Sequence, residues 1–128
     1  MASEILIHVH VLIAGAWLGV MLGDAVLVFR VLETASSKHS SVAFLRHLLG
    51  VLTLLIGLDL ARREGFPPWT HASALLVLIM ILLDAIMFRS SRRSGGDPTI
   101  LRGMMGKVFP IWIILYILTF TLMITQPF

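Results

Sequence analysis

The sequence contains no cysteine among its 128 residues, and charged residues make up only 13% of it. Without cysteine the chain forms no disulfide and offers no thiolate to a metal ion or an iron–sulfur cluster. It also lacks a glycine-rich phosphate loop, an HExxH motif, a recognisable catalytic triad and a basic surface interleaved with aromatic residues. These absences argue against the familiar soluble enzyme classes and against nucleic-acid binding.

Apolar residues dominate what is present. The chain is 58% hydrophobic with a mean hydropathy of +0.96, whereas a soluble domain is roughly 45–50% apolar. A helix needs about 20 mostly apolar residues to cross a bilayer, and four runs reach that length: residues 5–29, 42–61, 69–88 and 107–125. We therefore predict an all-α fold: a single-domain, multi-pass four-helix bundle in the lipid bilayer, which we assign to the cytoplasmic (inner) membrane.

The basic residues predict the orientation of this bundle. Short connections rich in Lys and Arg face the cytoplasm, and tight connections favour antiparallel neighbours. The second connection holds only Arg62 and Arg63. Eight of the ten Lys and Arg residues lie in or beside the first and third connections, namely Arg30, Lys38, Arg46, Arg89, Arg92, Arg93, Arg102 and Lys107. This distribution predicts that both chain termini lie outside the cytoplasm.

The stretch "HVHVLIAGAWLG", residues 8–19, places two histidines in the first apolar run. At 100° per residue His8 and His10 point about 200° apart, so they lie on different faces of the helix. His10 shares its face with Trp17, Met21 and Asp24. His8 shares its face with the glycines. These glycines lie four residues apart, at Gly15, Gly19 and Gly23. This spacing favours helix packing or a homodimer contact, with a slot for a flat cofactor as the alternative.

Histidines of two helices fall at the same depth near the outer end of the bundle. Two imidazoles at matching depth suit the axial positions of a haem iron, with small or aromatic residues such as Gly15, Gly19 and Trp17 beside the ring. His10 with His71 fits this arrangement best, and His8 with His71 is the second choice. The alternative is that each histidine only hydrogen-bonds water, lipid headgroups or a carbonyl.

A second polar layer lies toward the predicted cytoplasmic side. Asp24 and Asp84 fall at similar depth, and we expect them to pair with Arg30, Arg89 and Lys107; a proton path is the alternative role for both carboxylates. His39 is predicted to be a solvated loop residue. His47 is predicted to lie at the interface, and both His47 and Arg46 are second-choice cofactor contacts.

Four segments carry a resemblance to a known family. "HVLIAGAWLG" resembles the first helix of the HemJ-type protoporphyrinogen oxidases and of the related copper resistance protein D membrane domain. "LTLLIGL" (residues 52–58), "WTHASALLVLIMILLD" from Trp69 and "KVFPIWIILYILTFTLMITQPF" are similar to the second, third and fourth helices of the HemJ group. The resemblance implies a membrane protein that binds b-type haem and oxidises protoporphyrinogen, with His10 as the haem-associated histidine and His71 as that of the third helix.

Two positions depart from the HemJ pattern. The lysine expected two residues after His71 is Ser73, and the Tyr-x-Pro-Arg expected late in helix one reads Gly23-Asp24-Ala25-Val26. That lysine and arginine would hold anionic propionates or help to move protons. The departures therefore bear on oxidase activity more than on haem binding, which needs mainly the histidines.

Three functions follow as hypotheses. The first is a membrane haem b protein that transfers electrons or oxidises a tetrapyrrole-like (porphyrin) or quinone-like substrate, a haem-dependent oxidoreductase in the latter case. The second is copper transport, which the lack of cysteine and the scarcity of clustered methionine disfavour, because copper(I) prefers sulfur ligands. The third is a cofactor-free structural subunit.

Overall fold

The computed structural model describes residues 2–36 and 38–126, which form four long helices and the connections between them. Helix α1 covers Ala2–Val26 and continues as a π-helical segment, Leu27–Val31. Helix α2 covers His39–Arg63, α3 covers Pro68–Ser94 and α4 covers Pro98–Thr125. All four are long and apolar enough to cross a membrane. The predicted all-α, four-helix membrane architecture is confirmed.

The fourth helix is longer than the sequence pattern predicted. It begins at Pro98 rather than near residue 107, and Pro110 lies inside it. The Asp97 carboxylate accepts a hydrogen bond from the Thr99 amide at 2.9 Å and so caps the first turn. Pro98 occupies the first turn, where a missing N–H removes no helical hydrogen bond. The segment after residue 97 is therefore helical and not part of the connection.

Each helix buries one stripe of residues at alternating spacings of three and four, as in coiled-coil packing. On α2 the stripe is made largely of small and polar residues: His39, Ala43, Arg46, Gly50, Thr53 and Ala61. On α3 it runs through Thr70, Ser73, Val77, Met80, Asp84, Met87 and Ser91. Small residues let membrane helices approach closely, and buried polar residues pair between helices.

The bundle is antiparallel, and its two ends differ. Each helix packs against the next along the chain, and α4 also packs against the π-helical segment. We call the end that holds the start of α1 and the end of α4 the terminal end, and the opposite end the loop end. The loop end is closed by a hydrogen bond from the Ser36 amide to the Gly96 carbonyl, 3.3 Å long.

Candidate functional site

A cavity of about 470 Å³ lies in the terminal half of the bundle, between all four helices. Most of its walls are apolar, and its volume falls in the range of about 300–1,000 Å³ usual for ligand pockets. The aromatic residues of the lining are Trp17, Trp69, Tyr116 and Phe120. An apolar cavity within a membrane-spanning bundle suits a ligand that dissolves in lipid.

His10 places an imidazole in the wall of this cavity. The residue is only 7% exposed, and its Nδ1 atom is buried without a hydrogen-bond partner in the described part of the chain. Gly57 of α2 makes room for the ring, because a Cβ atom there would lie 3.2 Å from His10 Cε1. A buried polar nitrogen without a partner is costly, so it marks a position where a ligand atom is expected.

Ser73 contributes a second unpartnered group to the lining. Its Oγ is buried without a hydrogen bond to any described residue. The neighbouring hydroxyls are satisfied by their own helices, since Thr53 donates to the Leu49 carbonyl and Thr119 donates to the Leu115 carbonyl, each at 2.8 Å. His10 and Ser73 are thus the lining residues with buried polar atoms left to bind a ligand.

Trp17 lines the deep end of the cavity and is fixed on several sides. Its Nε1 donates to Asp84 Oδ2 at 2.8 Å, and its ring meets Trp112 edge to face with the centroids 5.0 Å apart. On α2, Gly50 leaves the space that the indole fills, because a Cβ atom there would lie 2.8 Å from Trp17 Cζ2. This arrangement holds the indole rigidly against the cavity.

Behind Trp17 a buried network of charged groups runs toward the loop end. Arg46 donates from Nη2 to Asp84 at 2.5 Å and from Nη1 to Asp24 at 2.8 Å. His39 Nε2 donates to the other oxygen of Asp24 at 2.6 Å, and His39 Nδ1 shares a hydrogen bond of 2.7 Å with Ser91 Oγ. All five side chains are almost fully buried. We call this set, with Trp17, the buried network.

The buried network corrects two expectations. Asp24 and Asp84 are both ion-paired with Arg46. The partners expected from the sequence are instead exposed, namely Arg30, Arg89 and Lys107. His39 is not a solvated loop residue: it is 2% exposed and begins α2. The reason is that α2 starts at residue 39 instead of 42, which brings the imidazole between α1 and α3.

The predicted haem histidines are not brought together at the cavity. His71 is exposed, and its ring stacks on Phe66 with the centroids 6.0 Å apart; it does not belong to the cavity lining. His8 is also exposed, and its Nδ1 donates to the Glu4 carbonyl at 2.7 Å. His47 is half-buried with an unpartnered Nδ1, and neither it nor Arg46 lines the cavity.

The face assignments for helix one agree with the structure. His10, Trp17, Met21 and Asp24 are all buried along one stripe. The glycines at 15, 19 and 23 are exposed, and a Cβ atom at any of them would meet nothing within 4 Å. Gly15 borders the cavity, whereas Gly19 does not. The glycine stripe therefore does not pack against another of the described helices, and a homodimer contact through it stays a prediction.

Three residues of the site were not predicted from the sequence: Gly50, Gly57 and Trp112. A signal for the two glycines was nevertheless present. Arg46, Gly50, Thr53 and Gly57 follow one another at spacings of four, three and four, which places them on one face of α2. Two glycines on the face that also carries a buried arginine indicate close approach by large side chains of another helix.

Comparisons of the chain with protein-family models, with curated proteins and with solved structures found no match. The function is therefore inferred from the site itself.

Proposed function

We propose that the protein binds haem b in this cavity, with His10 as an axial ligand of the iron, and acts in the cytoplasmic membrane in electron transfer or in oxidation of a porphyrin-like or quinone-like substrate. The observation that carries the proposal is the buried, unpartnered imidazole of His10 in an apolar cavity. Neutral imidazole is a common haem ligand.

The lining supports ligation of the haem iron by one histidine. The residues around the cavity offer a single imidazole, aromatic walls and Gly57, which supports ligation by histidine plus a weaker group rather than by two histidines. A haem bound there would supply one-electron redox chemistry, which the polarity and access of the cavity would tune. Trp17, fixed by Asp84 and Gly50, would keep the deep wall of the site in place.

The same lining favours a quinone-like ligand as the second candidate. It contains no Lys or Arg that would neutralise the two propionates of haem. His10 and Ser73 instead offer two unpartnered polar atoms, which suits a neutral ring with two oxygen atoms. Copper transport gains no comparable support, because the described residues contain no group of three His, Cys, Asp or Glu side chains that could hold a metal ion.

The buried network favours ion pairing for Asp24 and Asp84 and leaves a proton path as the alternative. Hydrogen bonds connect Trp17 at the cavity with Ser91 near the loop end, through Asp84, Arg46, Asp24 and His39. In this network the two carboxylates and the His39 imidazole can take up and release a proton, whereas Trp17 only donates and Arg46 stays protonated between the carboxylates.

The test is the haem content and absorption spectrum of the purified protein, oxidised and reduced with dithionite, from cells supplied with haem. We expect a Soret band in the wild type, and we expect His10→Ala to lose most of the haem, since no other histidine lines the cavity. His8→Ala is the matched control, because His8 lies two residues away and is exposed. His71→Ala is expected to leave the spectrum unchanged.

Gly57→Ala keeps the test informative if His10→Ala does not fold. The added methyl group would crowd the His10 ring, so we expect weaker haem retention with the helical circular dichroism intact. Equal haem content in the wild type and in His10→Ala would overturn the proposal. A colourless wild type that binds a water-soluble quinone analogue, with affinity lost in His10→Ala, would favour the second candidate.

A further inference from the structure

A groove at the loop end combines basic and apolar side chains on its walls. It has a volume of about 450 Å³ and lies between the end of α3 and the start of α4. Its polar side is formed by Arg89, Ser90, Arg93 and Ser94, and its apolar side by Ile86, Ile100 and Met104. The groove is separate from the cavity that contains His10, since the two have no lining residue in common.

The two arginines of the groove lack a countercharge within the part of the chain that the structure describes. Arg89 and Arg93 are exposed and lie four residues apart, which places them one turn apart on the same face of α3. Neither forms an ion pair with a carboxylate of residues 2–36 or 38–126. Like charges at this spacing repel each other, so an anion bound between them would be stabilised.

The two other arginines of α3 and α4 differ because they contact protein groups. Arg92 lies over the Phe88 ring, 5.8 Å from its centroid. Arg102 donates to the carbonyls of Val28 and Leu32 at 3.1 and 2.5 Å. Among the arginines of these two helices, the guanidinium groups that stay available for a ligand are therefore those of the groove.

The position of the groove matches the boundary between lipid tails and headgroups. Helix α3 has 27 residues, about 40 Å at 1.5 Å per residue, and thus exceeds a hydrocarbon layer of about 30 Å. Its last two turns, which carry both arginines, extend beyond the apolar run into the headgroup region. Ile86 and Ile100 are 48% and 46% exposed and lie beside them, so they offer a surface for an acyl chain.

We propose that this groove binds an anionic phospholipid, with Arg89 and Arg93 holding the phosphate and Ile86, Ile100 and Met104 contacting an acyl chain. Basic pockets between membrane helices recognise acidic headgroups in this way. The half-buried Ser90 hydroxyl is placed in the same wall as a further donor. The proposal does not depend on what occupies the cavity.

The experiment measures lipid bound to the detergent-purified protein by native mass spectrometry, during titration with phosphatidylglycerol or phosphatidylcholine. We expect tighter binding of phosphatidylglycerol, and we expect Arg89→Gln and Arg93→Gln each to weaken it about fivefold, since a basic residue near an anionic lipid contributes on that order. Arg92→Gln is the matched control: it removes the same charge from the same helix outside the groove.

Other results would overturn the proposal. An equal loss in Arg92→Gln would assign the effect to net charge, and equal binding of both lipids would exclude headgroup recognition. Met104→Gln separates a lipid site from a phosphate site, because it polarises the apolar wall and leaves the arginines unchanged. We expect it to weaken binding of phosphatidylglycerol; unchanged binding together with displacement by millimolar inorganic phosphate would identify a phosphate site only.

Discussion

Arg46 is the residue on which the buried charges depend. Its side chain is fully buried and contacts one carboxylate on α1 and one on α3, so it links three helices at once. In the low-polarity interior an unpaired carboxylate is far more costly than a paired one. The guanidinium group is suited to this position because it presents several donors in a planar arrangement and stays protonated.

Replacing Arg46 by methionine should therefore destabilise the bundle strongly. We expect a loss of about 3–5 kcal/mol in the free energy of unfolding, the usual effect of removing one partner of a buried ion pair. The measurement is thermal or denaturant unfolding in detergent, followed by circular dichroism.

Arg30→Met serves as the control for Arg46, because Arg30 is exposed and its loss should change stability by less than about 0.5 kcal/mol. Adding Asp24→Asn and Asp84→Asn to Arg46→Met should restore part of the lost stability by removing both unpaired charges. Equal stability of the Arg46→Met and Arg30→Met proteins would contradict a stabilising role for the ion pairs.

The connection between α3 and α4 depends on two adjacent glycines with positive φ. Gly95 has φ 65° and Gly96 has φ 77°, a region that side chains with a Cβ atom disfavour. Their surroundings differ. A Cβ atom on Gly95 would meet nothing within 4 Å, whereas one on Gly96 would lie 1.8 Å from the Ser36 carbonyl oxygen.

The two alanine variants should therefore separate conformational strain from collision. Gly95→Ala is expected to lower the free energy of unfolding by about 1–2 kcal/mol, the cost of a left-handed residue with a Cβ atom. Gly96→Ala should be clearly worse, because the connection between α1 and α2 must move away as well. Unfolding in detergent measures both, and equal effects would mean that the contact between the two connections contributes little.

The number and type of elements could be predicted from the sequence, because a run of about 20 apolar residues reports directly on a membrane helix. The partners of polar residues could not. The His39 imidazole reaches Asp24 only because α2 begins three residues earlier than its apolar run, and hydropathy does not detect a polar helical turn. Arg46 lies within that run, but hydropathy does not identify the carboxylates that it contacts. The burial of His10 could be predicted from helical periodicity, because His10 shares a helix face with Trp17 and Met21. No such pattern relates the depth and tilt of α3 to those of α1, so the position of His71 could not be predicted.

The antiparallel order of the four helices puts both termini at one end of the bundle. The positive residues predict that this terminal end lies outside the cytoplasm. The chain has no cysteine, so a single introduced cysteine reports its own side of the membrane without background.

Single cysteines at exposed Glu64 and Thr99 test this orientation, since these residues lie at the terminal end and the loop end, respectively. In intact cells a membrane-impermeant maleimide is expected to label Glu64→Cys, and to label Thr99→Cys only after the membrane is opened. Labelling in the reverse pattern would mean that the bundle is inserted with its termini in the cytoplasm.

The cavity is not sealed from the lipid. Val11 of α1 and Phe120 of α4 belong to its lining and are nevertheless 57% and 55% exposed. A ligand dissolved in the bilayer would therefore reach the cavity sideways, between α1 and α4, without passing through water. Its occupancy then depends on its mole fraction among the lipids, so that adding empty vesicles would dilute a hydrophobic ligand and lower occupancy even at constant bulk concentration.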